Sequence, residues 1–241
     1  MRFYSITETG RVRSKNQDFV FATDQKTGPL SNLFLVADGM GGHNAGEFAS
    51  AYAVQSVVEA IRNSTIQEPI AVLEQAITSA NYKVYHEALA DPDKKGMGTT
   101  LVAATYLDGH LYIANVGDSR LYVATDQELR QITRDHSLVQ ELVREGNLQE
   151  SEAMIHPRKN MITRAVGAEE AVRADFFDVE VRPGDQILLC TDGLTNMVSK
   201  ETMTDILFVA SDTPEMKAKK LVNTAEENGG RDNITVVLIE M

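Results

Sequence analysis

Residues 33–43 read LFLVADGMGGH: an apolar run, a carboxylate at Asp38, three glycines within four positions, then His43. Two further apolar runs end in the same way, IANVGDS at Asp118 and LLCTDG at Asp192. Asp18 in NQD opens another apolar run, and Asp232 in GGRDN stands just before one. A single Asp-Gly is ordinary turn chemistry. Three matching run ends plus two acids at run starts bring several carboxylates to one edge of a sheet core, where their repulsion is costly unless cations neutralise it.

Outward from that stretch, RFYSI and DFVFAT (18–23) read as strands, with a TGPLS turn before the strand at 32–37. From Ala45 the period changes: Ala49, Ala53, Val54, Val57, Val58 and Ile61 recur at helical spacing, and Leu73, Ile77, Ala80 and Val84 repeat the pattern. TLVAATYL, HLYIANV, RLYVAT and ELRQIT read as a β-meander, with Asp108-Gly109 as a hairpin-type turn. SLVQELVREG and QESEAMI are polar helices. ADFFDVEV and QILLC read as a strand pair about a Pro183-Gly184 turn, followed by helices near 200–209 and 214–227 and the strand NITVVLIE. This order predicts an α+β fold in four layers, two antiparallel sheets packed together and flanked by helix pairs.

Composition supports one ordinary globular domain over 1–241: 43% of residues are hydrophobic and 24% charged, with no low-complexity linker. A formal net charge of -12 argues against nucleic acid or an anionic membrane as the main partner. MRFYSITETGR lacks an apolar signal region and no apolar stretch reaches bilayer-spanning length, so a cytoplasmic, uninserted protein is expected. The single cysteine, Cys190, lies in an apolar run and reads as a packing residue.

The candidate ligands are all oxygens, which favours hard divalent ions, Mg²⁺ or Mn²⁺, over zinc or copper. Two such ions side by side are the usual apparatus for hydrolysing phosphate esters. Together RSKNQD (13–18), VADGMGGH (36–43), GMGTT (96–100), VGDSR (116–120), TRDHS (133–137), CTDGLTN (190–196) and GGRDNITVV (229–237) resemble the metal-dependent type-2C (PPM) protein phosphatases. More narrowly, they resemble the small bacterial Ser/Thr phosphatases that oppose transmembrane Ser/Thr kinases. The motifs span nearly the whole chain in the family's order.

The resemblance implies hydrolysis of phosphoserine and phosphothreonine by direct attack of a metal-bridging hydroxide, without a covalent phosphoenzyme. It implies phosphoprotein substrates, a cognate kinase among them, and a monomer. On the matching positions, Asp38 bridges two metals and Gly39 offers its carbonyl to one. Asp192 and Asp232 hold the first metal, Asp18 approaches the second through water, and Asp118 holds a third, weaker ion. Arg13 grips the substrate phosphate through its guanidinium fork. Residues 136–166 correspond to the flap beside the active site, with Asp135 and His136 read as its anchors. Many relatives place a general acid where this chain has Met40; His43 is the nearest substitute. Asp38, Asp192, Arg13 and His43 form the expected catalytic set. Two other readings remain open, a catalytically inactive partner- or phosphopeptide-binding module and a small-molecule phosphohydrolase.

Overall fold

The structure is a computed structural model and describes residues 1–42, 45–125, 128–153 and 156–241. Strands β1 (Arg2–Glu8), β2 (Asp18–Thr23) and β3 (Leu33–Met40) lead into helices α1 (Ala45–Arg62) and α2 (Pro69–Ala90). Strands β4 (Gly98–Thr99), β5 (Leu101–Leu107), β6 (His110–Val116), β7 (Arg120–Thr125) and β8 (Glu128–Gln131) follow, then short helices α3 (Leu138–Arg144) and α4 (Glu150–Ala153). Strands β9 (Asp175–Glu180) and β10 (Gln186–Cys190), helices α5 (Asp192–Thr195), α6 (Lys200–Leu207) and α7 (Pro214–Glu227), and strand β11 (Ile234–Glu240) complete the order.

Two antiparallel sheets form, one in the order β1-β11-β10-β7-β8 and the other β2-β3-β5-β6-β9, with β4 pairing β3. Alternate residues of each central strand enter different cores. In β3, Phe34 and Val36 face the inter-sheet core, while Leu33, Leu35 and Ala37 pack under α1 and α2. In β10, Ile187 and Leu189 face between the sheets; Leu188 and Cys190 pack under α6 and α7. Both faces of these strands are buried, which is why they read as continuous apolar runs instead of alternating ones. The four expected layers are therefore present, and Cys190 is a buried packing residue.

Three local expectations change. The middle strands are not one meander: β5 pairs β6, but β7 pairs β10 and β8 in the other sheet, so the chain changes sheets at Gly117–Ser119. Likewise β9 pairs β6 and β10 pairs β7 and β11, so ADFFDVEV and QILLC are not partners. Turn residues mark where a strand stops and say nothing about which sheet the next one joins. Finally, Asp38 lies inside β3, which runs on to Met40, because β4 pairs Gly39 with Thr99 and Met40 with Gly98.

Candidate active site

The crossing of the chain between sheets gathers the acids at one end of the sandwich. Asp18, the first residue of β2, stands directly opposite Asp38 in the β2–β3 register. Asp192 opens α5 just after β10, with Thr191 as N-cap, and Asp118 lies in the β6–β7 crossover. Asp232 precedes β11, the partner of both β1 and β10.

Burial and mutual repulsion push the carboxyls of Asp18, Asp38, Asp118 and Asp192 up. Asp38 is raised well above the usual range by burial, and then by the charges of Asp18, Asp192, Asp118 and Asp232. Asp18 and Asp118 are each pushed to about 7, chiefly by burial. Asp192 is raised by burial and by Asp232. The charges of all four other acids bear on Asp38.

Sequence reasoning missed the polar frame around these acids. Thr191 and Thr235 donate hydroxyl hydrogen bonds to Asp18 Oδ2 at 2.8 and 2.7 Å. Asn196 donates to Asp192 Oδ2 at 2.9 Å and itself accepts from Lys159 Nζ at 3.2 Å. Thr99 and Thr100 explain GMGTT: the Asp38 N–H donates to Thr100 Oγ1, Thr99 Oγ1 donates to the Asp38 carbonyl, and Thr100 Oγ1 lies 2.7 Å from Ser119 Oγ. Asn233 binds the carbonyls of Thr9 and Lys15 and the N–H of Gln17, tying the Arg13 loop to Asp232. The only sequence signal for these was Thr191 beside Asp192 and Asn233 beside Asp232, residue types that are common in turns.

Gly39 also has a packing reason to be glycine. A Cβ there would lie 1.9 Å from the Gly46 carbonyl oxygen and 2.8 Å from that of Gln17, so the missing side chain lets the first turn of α1 sit against β3. Arg13 is exposed and donates to Asp232 Oδ2 at 2.8 Å. Asp135 accepts a bidentate pair from Arg120 and a further bond from Gln131. His136 bonds Gly117 by both main chain and side chain, and burial holds its imidazole below the usual range. The segment 136–166 is stitched at its base, where Leu138 and Thr163 N–H groups donate to the Met161 and His136 carbonyls. His43 lies outside the described residues.

A cleft of about 700 Å³ opens beside Asp118 and Asp192, walled on one side by Ser137 and Lys159 and on the other by Asn196 and Lys200. Among the described residues, no three acidic, His or Cys side chains are already drawn tightly enough together to enclose an ion. The carboxylates of Asp18, Asp192 and Asp232 are instead held by hydroxyl, amide and guanidinium partners. Yet Asp18 Oδ1 and Asp192 Oδ1 are buried with no hydrogen-bond partner, which costs free energy that a cation would recover. All-oxygen donors, two orphaned oxygens and strong repulsion fit hard divalent ions.

Residues 8–227 match the sequence family Protein phosphatase 2C. The chain belongs to that family. This makes it an enzyme, a metal-dependent protein phosphatase. It is 43% identical over 238 residues to a Listeria welshimeri serine/threonine phosphatase stp, covering 97% of this chain and 93% of that one. The crystal structure of the Mycobacterium tuberculosis serine/threonine phosphatase PstP/Ppp superposes with a TM-score of 0.90 at 36% identity, covering 100% of this chain and 98% of the other. A structure of the PstP catalytic domain in complex with two manganese ions superposes at 0.86 and 35% identity, covering 99% and 97%.

Proposed function

We propose that the protein removes phosphate from phosphoserine and phosphothreonine in protein substrates, a cognate kinase among them, using divalent ions held by Asp18, Asp38, Gly39, Asp192 and Asp232, with Asp118 at a weaker third position. The observation that carries this is the convergence of five carboxylates from separate elements on one edge of the sandwich, two of them with orphaned buried oxygens. Bound Mn²⁺ or Mg²⁺ supplies an activated water and neutralises charge on the phosphoryl group.

The chain's own residues orient and admit the substrate. Arg13, exposed at the rim, offers its fork to phosphate and exchanges its Asp232 partner for the substrate. The cleft between the 136–166 segment and the α5–α6 connection accepts the peptide flanking the phosphorylated residue. The intact acid set disfavours an inactive binding module. His43, outside the described residues, is proposed to protonate the departing alkoxide, a role that slows a phosphothreonine peptide on His43→Ala but spares para-nitrophenyl phosphate.

The deciding experiment compares turnover of a phosphothreonine peptide with that of nucleotide and sugar phosphates, in Mn²⁺ and after chelation. The expected result is metal-dependent turnover that favours the peptide. Full activity after chelation removes the metal reading, and preference for a small phosphate replaces the protein substrate.

A further inference from the structure

The loop carrying Asp118 is where the chain changes sheets, and its first residue is pinned by a side chain 19 positions away in sequence. Gly117 has φ +102, and a Cβ on it would meet Thr100 at 2.6 Å, so the loop has little freedom of its own. The Gly117 N–H donates to His136 Nδ1 at 3.1 Å, and the His136 N–H donates to the Gly117 carbonyl at 3.0 Å. His136 thus partners both main-chain groups of Gly117, as a strand partner would, and Asn115 Nδ2 adds a second donor to the Gly117 carbonyl at 3.3 Å. On the far side of Asp118, Ser119 is held by Thr100.

The ring's tautomer follows from the geometry. A backbone N–H cannot accept, so Nδ1 must carry the lone pair and the neutral ring must carry its proton on Nε2. Nε2 lies 3.2 Å from Asp175 Oδ2, which takes that proton's hydrogen bond. Arg164 Nη1 is 3.3 Å from Nε2 but has only hydrogens to offer; its partner is Asp175 Oδ1 at 3.0 Å. Asp175 therefore holds the ring in the one tautomer that can receive Gly117.

We propose that His136, oriented by Asp175, is a positioning residue for Asp118: it fixes the Gly117 peptide so that the Asp118 carboxylate faces Asp192 and Asp38. This rests on the proposed role of Asp118 as ligand of the weaker cation. Removing an outer partner of a metal ligand typically weakens metal binding ~10- to 100-fold.

The test uses His136→Asn, whose amide oxygen takes the place of Nδ1 and accepts from the Gly117 N–H, and His136→Gln, whose amide reaches toward Asp175 and leaves the Gly117 N–H unpaired while the carbonyl keeps its main-chain donor. Calorimetric titration with Mn²⁺ measures each site, alongside the Mn²⁺ dependence of peptide turnover. The Gln variant is expected to weaken the weak site ~10-fold or more, with the tight sites unchanged, and the Asn variant to stay near wild type. In metal-free wild type at pH 8, the ¹⁵N resonances of the ring should show Nδ1 unprotonated and Nε2 protonated. Equal losses in Asn and Gln variants, wild-type binding in Gln, or a protonated Nδ1 each overturn the proposal. Asp118→Ala is the control: if it keeps every ion, the ligand reading itself fails, whereas if it loses the weak ion and His136→Gln does not, only the positioning role falls.

Discussion

Asp38 is repelled by four other carboxylates in the metal-free protein. Replacing it with asparagine keeps its shape and removes its charge. At pH 8 and with chelator, Asp38→Asn is expected to raise the melting temperature by about 2–4 °C for each kcal/mol of repulsion relieved. The same variant should lose peptide turnover and most of the Mn²⁺-induced stabilisation. A variant less stable without metal, yet still stabilised by Mn²⁺, would contradict the central position of Asp38. Gly39 was recognisable as special from the sequence, but its packing constraint was not: the clash a Cβ would make is with the carbonyls of Gly46 and Gln17. Gly39→Ala is expected to cost about 1–3 kcal/mol or more through overpacking, read by denaturant unfolding with and without Mn²⁺. A loss seen only with Mn²⁺ would mean the residue matters for the ion alone.

At the scale of elements, α2 does more than cover a sheet. Its buried Asn81 accepts from the Gly167 N–H at 2.7 Å and donates to the carbonyls of Glu169 and Glu170, holding the chain as it leaves the 136–166 segment. Asn81→Ala orphans those groups and is expected to cost about 1–3 kcal/mol, with faster amide exchange confined to residues near 165–170. Unchanged exchange there would show that α2 does not anchor the segment. Helical period revealed α2 and its apolar stripe, but the task of Asn81 was hidden, because its partners lie some 90 residues on and no local pattern points to them. The short α5 escaped notice for the related reason that four residues carry too little periodicity to register.

For the whole molecule, the acid edge sets a pH dependence. Asp18 and Asp118 are at about 7 in the folded metal-free protein, against ~3.9 for a free aspartate. The folded state therefore binds more protons than the unfolded chain between those values, so these groups stabilise fully below ~4 and lose that contribution as pH rises through about 7. The raised carboxyls of Asp38 and Asp192 act in the same direction. The melting temperature of the chelated protein should fall from pH 5 to pH 8, and the increment given by Mn²⁺ should grow over the same range. A chelated protein most stable at pH 8 would refute this account. No described helix is long and apolar enough to cross a membrane, in keeping with the absence of such a stretch in the sequence.

By itself the sequence determined what is local: which runs are strands or helices, and which acids stand at or near the ends of apolar runs. Side-chain period and turn chemistry act over a few residues, so they are legible in order along the chain. Tertiary structure decided which sheet each strand joins, and with it that Asp118 rides a crossover, that Asp18 faces Asp38, and that residues 18 to 232 meet at one edge. It also supplied the threonines and asparagines that hold Asp18, Asp38 and Asp192. Pairing depends on burying two sheets against each other, a property of the complete set of strands that no single segment encodes.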